Sequence, residues 1–186
     1  MEKIIISILF AIYLIAAISP RIIQKRKKVE TVGCIGINRK LFFLGKISFF
    51  SSYIMILIQV FFVNLSLFSQ NDVFLLICIA LVGLGVLFFT LAIKSLGTFS
   101  LRVGLAQEKT ALRTNGIYHF SRNPMLLGLY LIAIGSAIYV QNPLNWVLVI
   151  IALTIHHKII LTEEKFLQQR FGNEWTAYSS KIHRYI

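Results

Sequence analysis

The chain has little charge and very little of one sign: 26 of its 186 residues are Lys, Arg, Asp or Glu, and only 7 of those are acidic. A soluble domain carries nearer ~25% charged residues, against 14% here, and 57% of the chain is apolar with a mean hydropathy of +0.77. One small water-soluble core cannot bury that much apolar surface and still be covered by polar groups. A bilayer removes the conflict, because lipid tails solvate apolar side chains directly. Two cysteines, Cys34 and Cys78, give no disulfide framework and no metal-ligand spacing. Nor is there a P-loop, a nucleophile elbow or an HExxH pair, and no internal repeat or low-complexity linker divides the chain. The length suits a single domain, 1–186.

What the sequence does have is a series of apolar runs: Ile4 to Ile18, Ile47 to Phe68, Val73 to Ile93, Pro124 to Val140, and Leu144 to Leu161. At 1.5 Å per residue, about 20 residues cross the hydrocarbon core. The second and third runs reach that length, and the first reaches it only by continuing past Pro20 to Ile23. Gln141-Asn142-Pro143 joins the last two runs as a helical hairpin. The expectation is an all-α, polytopic membrane bundle of about five transmembrane helices. Three spans fill residues 1–93, and residues 94–186 carry the motifs.

The net charge of +12 resides in the segments between the runs. Arg21 to Lys46, Lys94 to Arg122 and the tail after Lys158 hold nearly every Lys and Arg, while 69–72 and 141–143 hold none. Five spans put those three basic segments on one side, and the bias towards positive loops makes that side cytoplasmic. Nucleic acid is excluded as a partner, because no basic stripe runs along a polar surface. A cleaved signal peptide is the other reading of the first run. Met1-Glu2-Lys3 has no positive excess, however, and the cluster Arg21, Lys25, Arg26, Lys27, Lys28 follows the run and retains it. Between Lys94 and Ser121 the chain is too polar to span and too apolar for a linker, which suggests a re-entrant or interfacial loop. Phe166, Leu167, Phe171, Trp175 and Tyr178 recur at spacings that suit an amphipathic interfacial helix, broken near Gly172.

Three groups of residues have chemical potential. Arg122-Asn123-Pro124 marks a helix start, with Asn123 at the N-cap and Pro124 at the first helical position. Free N–H groups, the positive dipole end and a guanidinium make an anion site there, or else Arg122 simply reaches lipid phosphate. Glu163-Glu164 repel one another at a membrane face; they either receive a ligand's hydroxyls or cationic groups, or form a solvated face partnered by Lys158 and Lys165. His156 and His157, one face above the Glu pair, suit the polar rim of a cavity better than a metal site, for which the other spans offer few ligands. Gly83-Leu84-Gly85 lies inside a spanning run and suits close helix approach.

The ordered set Leu96-Gly97-x-Phe99-Ser100, Gly116-x-Tyr118-x-x-x-Arg122-x-Pro124-Met125-x-x-Gly128 and Glu163-Glu164-x-x-Leu167-x-x-x-Phe171-Gly172-x-x-Trp175-x-x-Tyr178 resembles the isoprenylcysteine carboxyl methyltransferases. These belong with the phospholipid N-methyltransferases in one group of integral membrane enzymes. The resemblance covers about residues 95 to 186 and implies S-adenosyl-L-methionine bound at the cytoplasmic face, with a lipid or lipid-modified acceptor. Carried over residue by residue, it implies cofactor contacts from Tyr118, Asn123, Pro124, Met125, Leu126, Glu163 and Glu164, with the stretch Thr110 to Arg113 as a further candidate. Arg122 and His157 are the candidate catalytic side chains, His157 as an aid to deprotonating an amine acceptor. The sequence departs from the prenylcysteine pattern at Thr110, Asn123, Leu126 and above all Ile159, where the resemblance implies an Arg facing the substrate carboxylate. Asn123-Pro124-Met125 is similar to the phospholipid N-methyltransferase form of the motif. The rival readings are an NADPH-dependent reductase of the sterol-reductase type and a non-enzymatic membrane protein.

Overall fold

Long apolar runs become helices because a backbone in lipid must satisfy its own hydrogen bonds. The computed structural model describes residues 2–26, 36–68, 71–96 and 112–186. Its helices are α1 (Glu2–Arg26), α2 (Arg39–Phe61), α3 (Asp72–Leu96), α4 (Pro124–Val140), α5 (Pro143–Phe171) and α6 (Asn173–Ser179), with a 3-10 turn at Gly116–His119. Four of them, α1, α2, α3 and α5, are long and apolar enough to cross a membrane. The fourth apolar run, α4, has 17 residues and is shorter, about 25 Å at the helical rise. The protein is a multi-pass helical membrane bundle.

The first run does continue past Pro20, which α1 carries within its length. The second is displaced from its apolar run. It begins at Arg39 because the Asn38 side chain accepts from Lys40 N at 2.9 Å, and it ends at Phe61. Beyond Phe61 the chain turns: Gln59 Nε2 donates to Asn64 Oδ1 at 3.0 Å, and Leu65 N donates to Gln59 Oε1 at 2.6 Å. Apolar content alone extended this helix to Phe68, but local side-chain bonds end it earlier.

The hairpin between α4 and α5 follows its sequence. Gln141 takes the left-handed conformation (φ 48°) that ends α4, Asn142 accepts from Leu144 N at 3.0 Å, and Pro143 opens α5. At 29 residues, α5 is longer than the roughly 20 that a bilayer needs. Its apolar part ends at Leu161, and the polar remainder from Thr162 projects beyond the span.

Helices α3 and α4 pack most closely. A Cβ on Gly85 would lie 2.6 Å from Gly128 O, so these two backbones touch. Gly83 faces open space, so of the Gly83-Leu84-Gly85 pair only the second glycine serves this contact. Ile6, Phe49, Tyr53, Val82, Ile132 and Val149 belong to one apolar core shared by all five long helices. Two of the polar groups within it are bonded across helices: Ser136 Oγ donates to Ser52 O at 2.7 Å, and Tyr53 Oη to Leu129 O at 3.2 Å. The outer faces expose Ile15, Leu76 and Ile150 at 60–69% of their surface. Such continuous exposure of large apolar side chains suits lipid, not water.

Candidate functional site

The site forms where the 3-10 turn, the start of α4, the polar end of α5 and the segment 180–186 meet. Asn123 occupies the N-cap position of α4 and Pro124 its first turn, as the sequence reading has it. The Asn123 side chain makes no capping bond, however. Its Nδ2 donates to Glu164 Oε1 at 3.3 Å and to Arg184 O at 3.2 Å, which ties the helix start to α5 and the tail. Leu127 N is bonded to Asn123 O, so among the described residues the amides of Met125 and Leu126 in the first turn have neither a helical partner nor a side-chain cap.

Arg122 is held rather than free. Its Nη2 lies 3.5 Å from Glu164 Oε1, its Nη1 donates to Ser179 O at 3.3 Å, and the guanidinium stacks 5.6 Å over Trp175. Among described residues the buried Nε has no hydrogen-bond partner. The motif arginine thus joins α6, the α4 start and Glu164. Gly172, at φ 49°, breaks α5 from α6 at the expected place, and Trp175 turns inward and is buried.

The two glutamates differ. Glu164 takes both Nε contacts of Arg184 at 3.1 Å and its Nη2 at 2.8 Å, beside the contacts from Arg122 and Asn123. Lys158 and Lys165 are not its partners; Arg122 and Arg184 are. The bidentate pair in turn raises the Arg184 guanidinium pKa. No described residue hydrogen-bonds or ion-pairs with Glu163. Burial, and then the Glu164 charge, push the Glu163 carboxyl up to about 7. Tyr118 is buried beside it; burial, Tyr178 and Glu163, in that order, push its phenol up. Tyr178 Oη anchors that turn by donating to Tyr118 O at 2.7 Å.

The two histidines part company. His156 is buried with Nδ1 2.8 Å from Ala152 O and its ring 4.4 Å from Phe49, so it belongs to the bundle interior instead of a cavity rim. His157 Nδ1 lies 2.7 Å from Tyr185 Oη, which places it at the edge of the site. Ile159 is buried with Ile155 against Phe42 of α2, so an apolar wall stands where the prenylcysteine pattern has a cation. Gly36 approaches Thr162 so closely that a Cβ would sit 2.9 Å from Thr162 Cβ, which brings the segment before α2 to the rim. Leu96 ends α3, while Gly97, Phe99, Ser100 and Thr110 of the other motif positions, and Cys34, lie outside the described residues. Sequence reasoning missed Ser121, His183, Arg184 and Tyr185. Their roles depend on where the tail returns, and no spacing announces that.

A family model of phospholipid methyltransferases matches residues 73–174. A probable protein-S-isoprenylcysteine O-methyltransferase of Oryza sativa subsp. indica is 35% identical over 78 residues, 41% of each chain. The protein-S-isoprenylcysteine O-methyltransferase of Saccharomyces cerevisiae is 35% identical over 105 residues, 55% of this chain and 44% of its own. An uncharacterized Haemophilus influenzae protein is 36% identical over 63 residues, 33% of this chain and all of its own. The chain thus spans less than half the length of the rice and yeast relatives. The family match runs from α3 through the α4 start and the Glu pair to Glu174 in α6, more than half of the chain, and on that span the protein belongs to the phospholipid methyltransferase family.

Proposed function

We propose that the protein transfers a methyl group from S-adenosyl-L-methionine to a lipid or lipid-modified acceptor, at a site facing the cytoplasm. The observation that carries this reading is the Glu163 carboxyl, without a described partner, adjacent in the chain to Glu164, which is bonded to the uncapped start of α4. These groups fit the cofactor's polar ends. Glu163 can accept from ribose hydroxyls, and the Met125 and Leu126 amides with the positive end of α4 can receive a carboxylate. Tyr118, Asn123 and Pro124 shape the wall between them, and Glu164 acts through the residues it braces. When bound, the cofactor supplies a methyl already activated on a sulfonium, so the chain's task is alignment and exclusion of water.

His157 takes the proton from an amine acceptor in this reading. In the tautomer whose Nδ1–H donates to Tyr185 Oη, Nε2 is the unprotonated nitrogen that takes the proton. A carboxylate or thiolate acceptor needs no such help. Arg122 serves by holding Glu164 and α6 in place. The apolar wall of Ile159 and Phe42 is suited to the greasy part of an acceptor arriving from the bilayer.

Calorimetric titration of the detergent-solubilised protein with S-adenosylhomocysteine tests the assignment. Saturable binding is expected, and its absence from well-folded protein would sink the cofactor reading. The orientation has its own test, in a chain whose Cys34 and Cys78 are replaced by Ser. An impermeant maleimide added to intact cells is expected to label Asn64→Cys, and to label Lys181→Cys only after the membrane is opened. The reverse order would put the site on the outer face.

A further inference from the structure

Glu163 and Glu164 are identical groups one residue apart, about 100° around the end of α5. Two ionised carboxylates so placed repel, and each disfavours the charge of the other. The structure separates them by bringing in Arg184. Segment 180–186 is fastened to the start of α4 by its backbone: Arg122 N donates to His183 O at 3.0 Å, and Ser121 Oγ and Asn123 Nδ2 both donate to Arg184 O, at 3.3 and 3.2 Å. With its carbonyl pinned on that side, Arg184 extends its guanidinium across Glu164 and engages both oxygens. Tyr185, the next residue, meets His157 and packs its ring, tilted, 5.7 Å from that of Tyr130, which anchors the strap at a second place.

We propose that Arg184 is a positioning residue: by engaging both oxygens of Glu164 it fixes that carboxylate and offsets its charge, and leaves Glu163 as the carboxyl offered to a ligand. The proposal rests on the reading of Glu163 as the ligand-facing group. Without Arg184, the described partners left to Glu164 are Arg122 at 3.5 Å and the Asn123 amide, and more of its charge acts on Glu163. Among the described residues, Glu164 on α5 and Tyr118 on the 3-10 turn interact with the Glu163 charge, and Arg122 before α4, Tyr178 on α6, and Arg184 and Tyr185 on the strap interact with that of Glu164. Of these, only Arg184 makes a bidentate bond to Glu164.

Infrared titration of the carboxyl C=O band that disappears in Glu163→Gln reads the effect without any ligand. Its midpoint is expected near 7 in the wild type. In Arg184→Gln it should move to higher pH by about one unit, with Arg184→Lys falling between the two. An unmoved midpoint in Arg184→Gln overturns the proposal. If that variant does not fold, Arg184→Lys serves: a smaller alkaline displacement supports the proposal, and none overturns it. Titration with S-adenosylhomocysteine then separates the two readings. Arg184→Gln should bind about fivefold more weakly at pH 7 and nearly as well as wild type at pH 9, the ratio of ionised fractions for a one-unit shift. A displaced infrared midpoint in a protein that binds no S-adenosylhomocysteine upholds Arg184 and removes the cofactor assignment. Tight wild-type binding with an unmoved midpoint does the opposite.

Discussion

Glu163→Ala is expected to weaken S-adenosylhomocysteine binding about ten- to a hundredfold while leaving the folded bundle intact. Hydrogen bonds to a charged acceptor contribute about 1.5–3 kcal/mol each in a shielded site, and each ~1.4 kcal/mol is tenfold in affinity. Nothing described in the protein leans on this carboxylate, so its loss leaves no internal partner stranded. The folded state should even benefit at neutral pH. A carboxyl that ordinarily loses its proton near 4.5 keeps it to about 7 here, so the folded chain binds the proton more tightly than the unfolded one. Stability from this group is therefore lost as pH rises from about 4.5 to 7, and the variant removes that decline. Ligand binding runs the other way: it needs the ionised form and should strengthen in the wild type as pH rises through 7. Thermal unfolding at pH 5 and 8, with calorimetric titration over the same range, checks both signs. Unchanged affinity in the variant would remove Glu163 from the ligand site.

The parts of this site written in short range were legible in the sequence. Asn142-Pro143 marks a helix start because a side-chain acceptor and a fixed φ act within a few residues, and Asn123-Pro124 marks one by the proline's fixed φ. Gly172 breaks α5 because it takes a positive φ, which the sequence signals locally. Charge and hydropathy located the bundle, since membrane burial is a property of composition. The start of α2 was not legible from apolar content, because a polar cap at Asn38 carries the helix eight residues ahead of its run. Nor was the division of labour within the Glu pair. Glu163 and Glu164 differ only in direction, and direction acquires meaning from Arg184, twenty residues away and brought back by backbone carbonyls that any sequence possesses. The histidines show the same limit: adjacent in the chain, they face Phe49 and Tyr185 on different sides of α5.

Gly128→Ala is expected to cost more stability than a methyl added at any other described glycine of this bundle. The new Cβ would sit 2.6 Å from Gly85 O, 2.7 Å from Phe89 N and 3.1 Å from Phe89 Cβ. The two nearest atoms are backbone, so no side-chain rotation relieves them, and α3 and α4 must part. A gap of about 0.5–1 Å forfeits a quarter to a half of each contact's dispersion energy along the seam, and overpacking of this kind costs roughly 1–3 kcal/mol. Lipid offers no hydrophobic drive to reclose the pair, because tails are as apolar as the side chains they replace. The displacement also reaches the site: Gly128 lies about one turn beyond Pro124, so moving α4 carries Asn123 away from Glu164. Binding of S-adenosylhomocysteine should therefore fall along with the thermal midpoint in detergent. Gly83→Ala is the control, because its Cβ meets nothing within 4 Å and alanine is favoured over glycine in a helix by up to ~1 kcal/mol. It should unfold at the wild-type temperature or slightly above. If Gly128→Ala matches Gly83→Ala, close packing of α3 on α4 does not hold the site together, and the strap and ion pairs alone set the distance between Asn123 and Glu164.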